Sequence, residues 1–165
     1  MPSRNKNKHL VVGLDIGTTK ICAIAVEGDS KETLNVVGVG YTIYLGSEYE
    51  HEMLTEAAAL IREAHENGLI TVTWIYPRGK AVTDEKDPQL ISGAAGVALC
   101  IGADFTKVNY PRAFEGMTQP ESLAVAIEAA GHTGVICSGG GSLPAEEFLQ
   151  RLWDQINISG ASGAR

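Results

Sequence analysis

The sequence predicts an α/β fold: an N-terminal antiparallel β-meander followed by three βα units of a parallel sheet or partial (β/α)8 barrel. Two patterns predict it. Up to about Gly40, short alternating apolar runs are broken by polar or glycine-containing turns, as in strands joined by hairpins. Beyond Gly40, apolar residues at helical spacing alternate with short β-rich runs, as in βα units. The chain has 165 residues, enough for one domain with a real core. A complete (β/α)8 barrel usually needs roughly 250.

The elements follow in order. Residues 1–8 form a polar, disordered tail carrying Arg4, Lys6 and Lys8. His9–Asp15 reads as a strand, Ile16-Gly17-Thr18-Thr19 as a turn, and Lys20–Glu27 as a second strand. Gly28–Thr33 is a polar hairpin loop, and Leu34–Tyr44 is a third strand able to serve both halves of the fold. Leu54, Ala57, Ala58, Ile61 and Ala64 then define a helix with Ser47 as N-cap and Gly68 as stop. Leu69–Tyr76 is a strand. Asp87-Pro88 opens a second helix that stops at Gly102. Ala103–Tyr110 is a strand, and Thr118-Gln119-Pro120-Glu121 is a capping box for a helix ending at Gly131. Thr133–Cys137 is a strand, Pro144–Ile156 an amphipathic helix, and residues 160–165 are unstructured. The chain thus divides into a tail (1–8), a meander (9–40) and a βα segment (41–165).

Composition excludes several functions. The net charge of −7, without a basic stripe, argues against nucleic acid. No apolar run reaches transmembrane length, and no signal-peptide core opens the chain, so neither membrane nor export is expected. Cys22, Cys100 and Cys137 are odd in number, with no C-x-x-C, which fits a reduced cytoplasmic compartment. His9, His51, His65 and His132 have no ligand spacing, so no metal site is expected; His65, near a helix end, reads as a surface residue.

The chemistry lies after residue 40. Alternate residues of a strand share a face, so Trp74 and Tyr76 point one way, and Phe105, Lys107 and Asn109 share a face likewise. If those faces meet in one cavity, an indole, a phenol and an amine converge. A desolvated lysine stays partly neutral and can attack a carbonyl to form an iminium. A tyrosine within reach can move the substrate's hydroxyl proton. Ser138-Gly139-Gly140-Gly141 leads into a helix and offers backbone N–H groups to a phosphate, and Arg78 can add a bidentate contact. Each residue also has a bland reading: a surface lysine, a tight turn, a core aromatic.

Taken in order, Trp74-Ile75-Tyr76-Pro77-Arg78-Gly79, Gly102-Ala103-Asp104-Phe105-Thr106-Lys107 and Ser138-Gly139-Gly140 resemble the archaeal-type (DhnA-like) class I fructose-bisphosphate aldolases. The resemblance runs from Gly40 to Gly163. It implies that Lys107 forms the Schiff base, Tyr76 transfers the proton and Trp74 shapes the pocket. Ser138, Gly139 and Gly140 would hold a phosphate of a ketose such as fructose 1,6-bisphosphate, with no metal or organic cofactor. That family is a full barrel. This chain shows no counterpart of its first three strands or of its Asp-His-Gly motif, and ends before its eighth strand. The expectation is a lyase impaired by truncation, with open sheet edges that favour pairing between copies.

His9–Gly40 resembles something else. Leu10-Val11-Val12-Gly13-Leu14-Asp15-Ile16-Gly17-Thr18-Thr19-Lys20 is similar to the first phosphate motif of actin-like ATPases, especially the cell-division protein FtsA. The resemblance implies ATP and Mg²⁺ held by Asp15, Gly17, Thr18 and Thr19, with Gly139–Gly141 as an adenosine loop. A second D-x-G phosphate motif is absent. The sequence therefore reads as a chimera joined near Val39-Gly40-Tyr41. Three readings stand: Schiff-base aldolase, actin-like ATP-binding fragment, or inert hybrid. The spacing of the glycine loop after Lys107 favours the first.

Overall fold

The computed structural model describes residues 9–16, 21–30, 33–138 and 141–164. Its strands are β1 (His9–Ile16), β2 (Ile21–Ser30), β3 (Thr33–Leu45), β4 (Ile70–Pro77), β5 (Phe105–Val108), β6 (Gly134–Cys137) and β7 (Gly163–Ala164). The helices are α1 (Glu50–Glu66), α2 (Pro88–Ile101), α3 (Gln119–Ala129) and α4 (Ala145–Asn157). All seven strands form one curled sheet in chain order. β1, β2 and β3 pair antiparallel; β3 through β7 pair parallel, each step crossing over through one helix. β3 thus serves both halves, and the expected segment boundary at Gly40 falls inside it.

Period-2 alternation sorts the parallel strands into two faces. Ile43, Ile75, Val108, Val135 and Cys137 are buried in one core with Met53, Ala57 and Ile61 of α1, Ile91, Ala94, Ala95 and Ala98 of α2, and Leu123 and Ala126 of α3. The alanines let the helices approach the sheet closely. Each fully buried Ile or Leu contributes roughly 1.5–3 kcal/mol. The opposite face carries Val72, Trp74, Tyr76, Phe105, Lys107 and Ile136, all half-buried. No helix covers it among the described residues, so this is the open, concave side.

Local chemistry fixes most helix ends. Asp87 accepts from the backbone N–H groups of Gln89 and Leu90, with Pro88 at the first helical position. Gly102 closes α2 at φ 83°, a left-handed conformation that glycine adopts without strain. Thr118 and Glu121 form the expected capping box. The start of α1 differs from expectation. Ser47 is not the N-cap; its hydroxyl accepts from Tyr49 N (3.2 Å), and the helix begins at Glu50. A turn at Gly46 (φ 95°) delays the helix, and the Glu50 carboxylate takes the Gly46 N–H instead.

Two further expectations are corrected. The polar stretch 28–33 is not all loop, because β2 continues to Ser30, which pairs with Thr33 across two bulges. The C-terminal stretch is not unstructured. Gly163 and Ala164 pair with Ile136 and Cys137, because β6 would otherwise leave its outer backbone groups unpaired. Ser162 N–H donates to Val135 O (2.8 Å) and starts that pairing. The expected tail, 1–8, lies outside the described residues.

Candidate active site

Strand register builds the site. Thr42 pairs with Trp74, Trp74 with Lys107, Lys107 with Ile136, and Ile136 with Gly163, giving one row across the open face. Tyr44 and Tyr76 pair one pleat nearer the strands' C-terminal ends. Gly40, Val72, Phe105 and Gly134 form the row below. The neighbours of Lys107, Thr106 and Val108, are completely buried towards the helices, so the amine must project to the concave side. The two glycines make room there. A Cβ on Gly40 would overlap the Trp74 indole, and one on Gly134 would overlap the Phe105 ring. Each aromatic therefore lies across the adjacent strand.

A hollow of about 300 Å³ opens beside this row. Thr42, Tyr44, Trp74 and Tyr76 line one side, and Leu14, Ile21 and Ala23 of the β1–β2 hairpin line the other. Trp74 and Tyr76 thus share a wall, as their spacing implied. Lys107 stands next to that wall as the register partner of Trp74 and does not line the hollow itself.

Arg78 follows β4. Its Nε and Nη2 donate to the two carboxylate oxygens of Glu85, each at 2.8 Å. Its guanidinium lies over Tyr44 (5.6 Å to the ring centre) and Tyr76 (6.0 Å). The hydrogen bond from Arg78 holds the Glu85 carboxyl below its ordinary range against a smaller opposing effect of burial. The expected bidentate phosphate contact would have to displace Glu85; Nη1 is the nitrogen outside that fork.

Ser138 ends β6. Its N–H donates to Val108 O (2.9 Å), and its hydroxyl donates to Asn109 Oδ1 (3.4 Å). Asn109 Nδ2 in turn donates to the Glu85 carbonyl (3.3 Å). Gly139 and Gly140 lie outside the described residues. Glu85, Asn109 and Tyr44 are the members of this cluster that the sequence argument left without a role. The acidic run Asp84–Asp87 between two arginines was the available signal.

Cys137 is buried on the helix side, where Gln155 Nε2 lies 3.1 Å from its sulfur. Burial pushes its thiol up to about 12, against smaller pulls from Arg151 and Lys107. It is no nucleophile at neutral pH. The three cysteines are free thiols.

The residues expected to hold a nucleotide fall largely outside the described ones. Asp15 is exposed on β1 and pairs with Cys22, while Gly17, Thr18 and Thr19 lie outside the described residues. Among the described residues, no cluster of three or more His, Cys, Asp or Glu could hold a metal, and no helix is long and apolar enough to cross a membrane.

The family model for "DeoC/LacD family aldolase" matches residues 20–165. The chain belongs to the DeoC/LacD aldolase family. This DeoC/LacD-family chain is 53% identical over 161 residues to the fructose-bisphosphate aldolase/6-deoxy-5-ketofructose 1-phosphate synthase of Methanocaldococcus jannaschii, covering 96% of this chain and 51% of that protein. It is 36% identical over 131 residues to the class 1 fructose-bisphosphate aldolase of Thermoproteus tenax, covering 79% and 48%. Among solved structures, the fructose-bisphosphate aldolase of Slackia heliotrinireducens superposes with TM-score 0.78 at 63% identity over 81% of this chain and 42% of that one. An archaeal fructose-1,6-bisphosphate aldolase, with its catalytic lysine covalently bound to a carbinolamine intermediate, superposes with TM-score 0.67 at 35% identity over 76% and 47%. The chain spans about half the length of the curated relatives it matches.

These matches correct the expected chimera. A family match that starts at residue 20 takes in β2 and β3 together with the βα units and crosses Gly40 unbroken. The alignment over 96% of the chain leaves too little out to set residues 9–40 apart. Nothing in the comparisons supports an FtsA-like start.

Proposed function

We propose that this chain is the nucleophile-bearing part of a Schiff-base aldolase acting on a phosphorylated ketose such as fructose 1,6-bisphosphate. The observation that carries the reading is the register row placing Lys107 beside Trp74, with Tyr76 one pleat above, on the uncovered face of the sheet. In this reading the neutral amine of Lys107 adds to the ketose carbonyl and forms a carbinolamine. Loss of water leaves an iminium. Tyr76 supplies the proton on the departing water and becomes a phenolate; the phenolate takes the substrate hydroxyl proton, the neighbouring C–C bond breaks, and its electron pair moves into the iminium to give an enamine. An aldehyde departs; protonation and hydrolysis of the enamine free the ketone and Lys107. The iminium is the electron sink, so no organic cofactor is required.

Trp74 walls the pocket and keeps water from the iminium. Ser138, Gly139 and Gly140 receive the substrate phosphate, and Arg78 adds a contact through Nη1. Free thiols fit a cytoplasmic setting. Among the described residues no strand pairs with the outer edge of β1, whose Leu10, Leu14 and Ile16 are exposed, and such an edge favours pairing with another copy.

The test is reductive trapping. The protein is incubated with dihydroxyacetone phosphate and borohydride, and the adduct is mapped by mass spectrometry. One equivalent on Lys107, abolished in Lys107→Ala, is expected. No adduct, or label spread over other lysines, overturns the proposal.

A further inference from the structure

We propose that Glu85 is a positioning residue: its carboxylate holds Arg78 over Tyr44 and Tyr76, and its carbonyl orients Asn109 and, through it, Ser138. The inference deepens the aldolase reading and rests on it. The carboxylate and the carbonyl of one residue therefore reach two different parts of the site.

Glu85 sits in a loop pinned at both ends. At the start, Arg78 N–H donates to Leu45 O (2.8 Å). Gly79 follows at φ 154°, pressed so closely on the Gly46 carbonyl that any Cβ would overlap it. At the far end, Arg112 bridges Asp84 (2.8 Å) and Asp87 (2.9 Å), and its N–H donates to Lys86 O (2.9 Å). Between these anchors, both Glu85 oxygens meet the fork of Arg78. The same guanidinium lies over the two phenol rings, which are register partners on adjacent strands.

The second arm is polar. Asn109 turns Nδ2 to the Glu85 carbonyl, and this orientation presents Oδ1 to the Ser138 hydroxyl. The loop thus touches the ends of β4 and β5 and reaches that of β6 through Asn109, with Lys107 on the middle strand. Stability does not explain the charge pair. Arg78 and Glu85 are 52% and 41% exposed, and solvent screens such pairs. What the pair supplies is orientation, together with a cation facing the ring of Tyr76. A phenol that accepts charge as it gives up a proton is favoured by that cation. Without the carboxylate, only the ring contacts are left to hold the guanidinium there.

The test compares Glu85→Gln, Arg78→Lys and the double variant with the wild-type protein. The first readout is NMR of the Arg78 side-chain protons. Two flanking rings shift them upfield, and Glu85→Gln should return them towards solvent values. The second readout is catalysis. Each single variant should still trap the Lys107 adduct stoichiometrically, yet cleave fructose 1,6-bisphosphate about tenfold more slowly, because proton transfer is misaligned. Both should move the same limb of the pH–rate profile, and the double variant should be no worse than either single one. Unshifted Arg78 protons in the wild type, full turnover in Glu85→Gln, or losses that add would each overturn the inference. A wild-type protein that traps no adduct defeats the aldolase reading, and with it the catalytic role given to Glu85. The NMR arm then still decides whether Glu85 holds Arg78.

Discussion

Asp104, at the end of the sheet away from the proposed active site, should be a stability residue without a catalytic role. Its Oδ2 accepts from Thr71 N–H (2.8 Å), the Thr71 hydroxyl (2.8 Å) and His65 Nε2 (3.0 Å). Its own N–H donates back to the Thr71 hydroxyl (3.1 Å), and its carbonyl accepts from Gly134 N–H (2.8 Å). One residue therefore ties the last turn of α1 to the starts of β4 and β6. Thr71 is almost fully buried, so Asp104→Ala leaves its N–H and its hydroxyl proton without their carboxylate acceptor. An orphaned buried donor costs about 1–3 kcal/mol. Asp104 is 40% exposed, so solvent screens its charge and the total stays near 2 kcal/mol. For a domain of this size that lowers Tm by roughly 4–8 °C.

The pH dependence has a definite sign. Burial pushes the Asp104 carboxyl up, but the bonds from His65 and Thr71 together outweigh it, and the net direction is down. A lowered folded pKa contributes stability above the unfolded value, about 3.9 for Asp, and loses it as pH falls through the folded value. The deficit of Asp104→Asn against wild type should therefore be largest near neutral pH and shrink below about pH 4. Urea melts of wild type, Asp104→Asn and Asp104→Ala across that range measure it. Trapping at Lys107 should be unchanged in both variants. An Asp104→Ala protein within about 0.5 kcal/mol of wild type at pH 7 would refute the reasoning. So would a deficit for Asp104→Asn that is flat with pH.

Three further outcomes are expected. Ile75→Ala empties a fully buried site between the sheet and the helices, and should cost about 2–5 kcal/mol by urea unfolding. Gly79→Ala forces a Cβ onto the Gly46 carbonyl; it should lower the urea midpoint and, by moving the loop, erase the upfield shift of the Arg78 protons. Exposed Cys100 should react with a thiol reagent at neutral pH in the native protein, whereas Cys137, buried and pushed up to about 12, should react only on unfolding.

Much of the fold was legible because local signals and tertiary demand agreed. Asp87-Pro88 and Thr118–Glu121 announce helix starts through the bonds their side chains make, and the structure has those bonds. Trp74 and Tyr76 share a wall because strand periodicity alone requires it. The failures come where a distant partner decides. Gly163 and Ala164 have no β propensity and become a strand only because β6 offers an unsatisfied edge. Ser47 is a good capping residue in isolation, yet the turn at Gly46 takes its place.

The site shows the same division. Strand residues could be placed from sequence, because register follows from two periodic patterns meeting. Loop residues could not. Glu85 reaches Arg78 seven residues back by side chain and Asn109 just after β5 by its carbonyl, and neither contact leaves a periodic trace. Arg78 shows the consequence. From sequence it is a free cation at a strand end, the obvious companion of a phosphate. In the structure its fork is occupied and it lies over two phenol rings. The same physics then allots it a second task. A guanidinium already neutralised by a carboxylate gains less from an incoming phosphate than a free one does, because a bidentate contact must compete with Glu85 and only Nη1 lies outside that fork. A cation held over two rings acts on those rings, so the proposed orientation of Tyr76 stands beside the proposed contact of Nη1 with a phosphate.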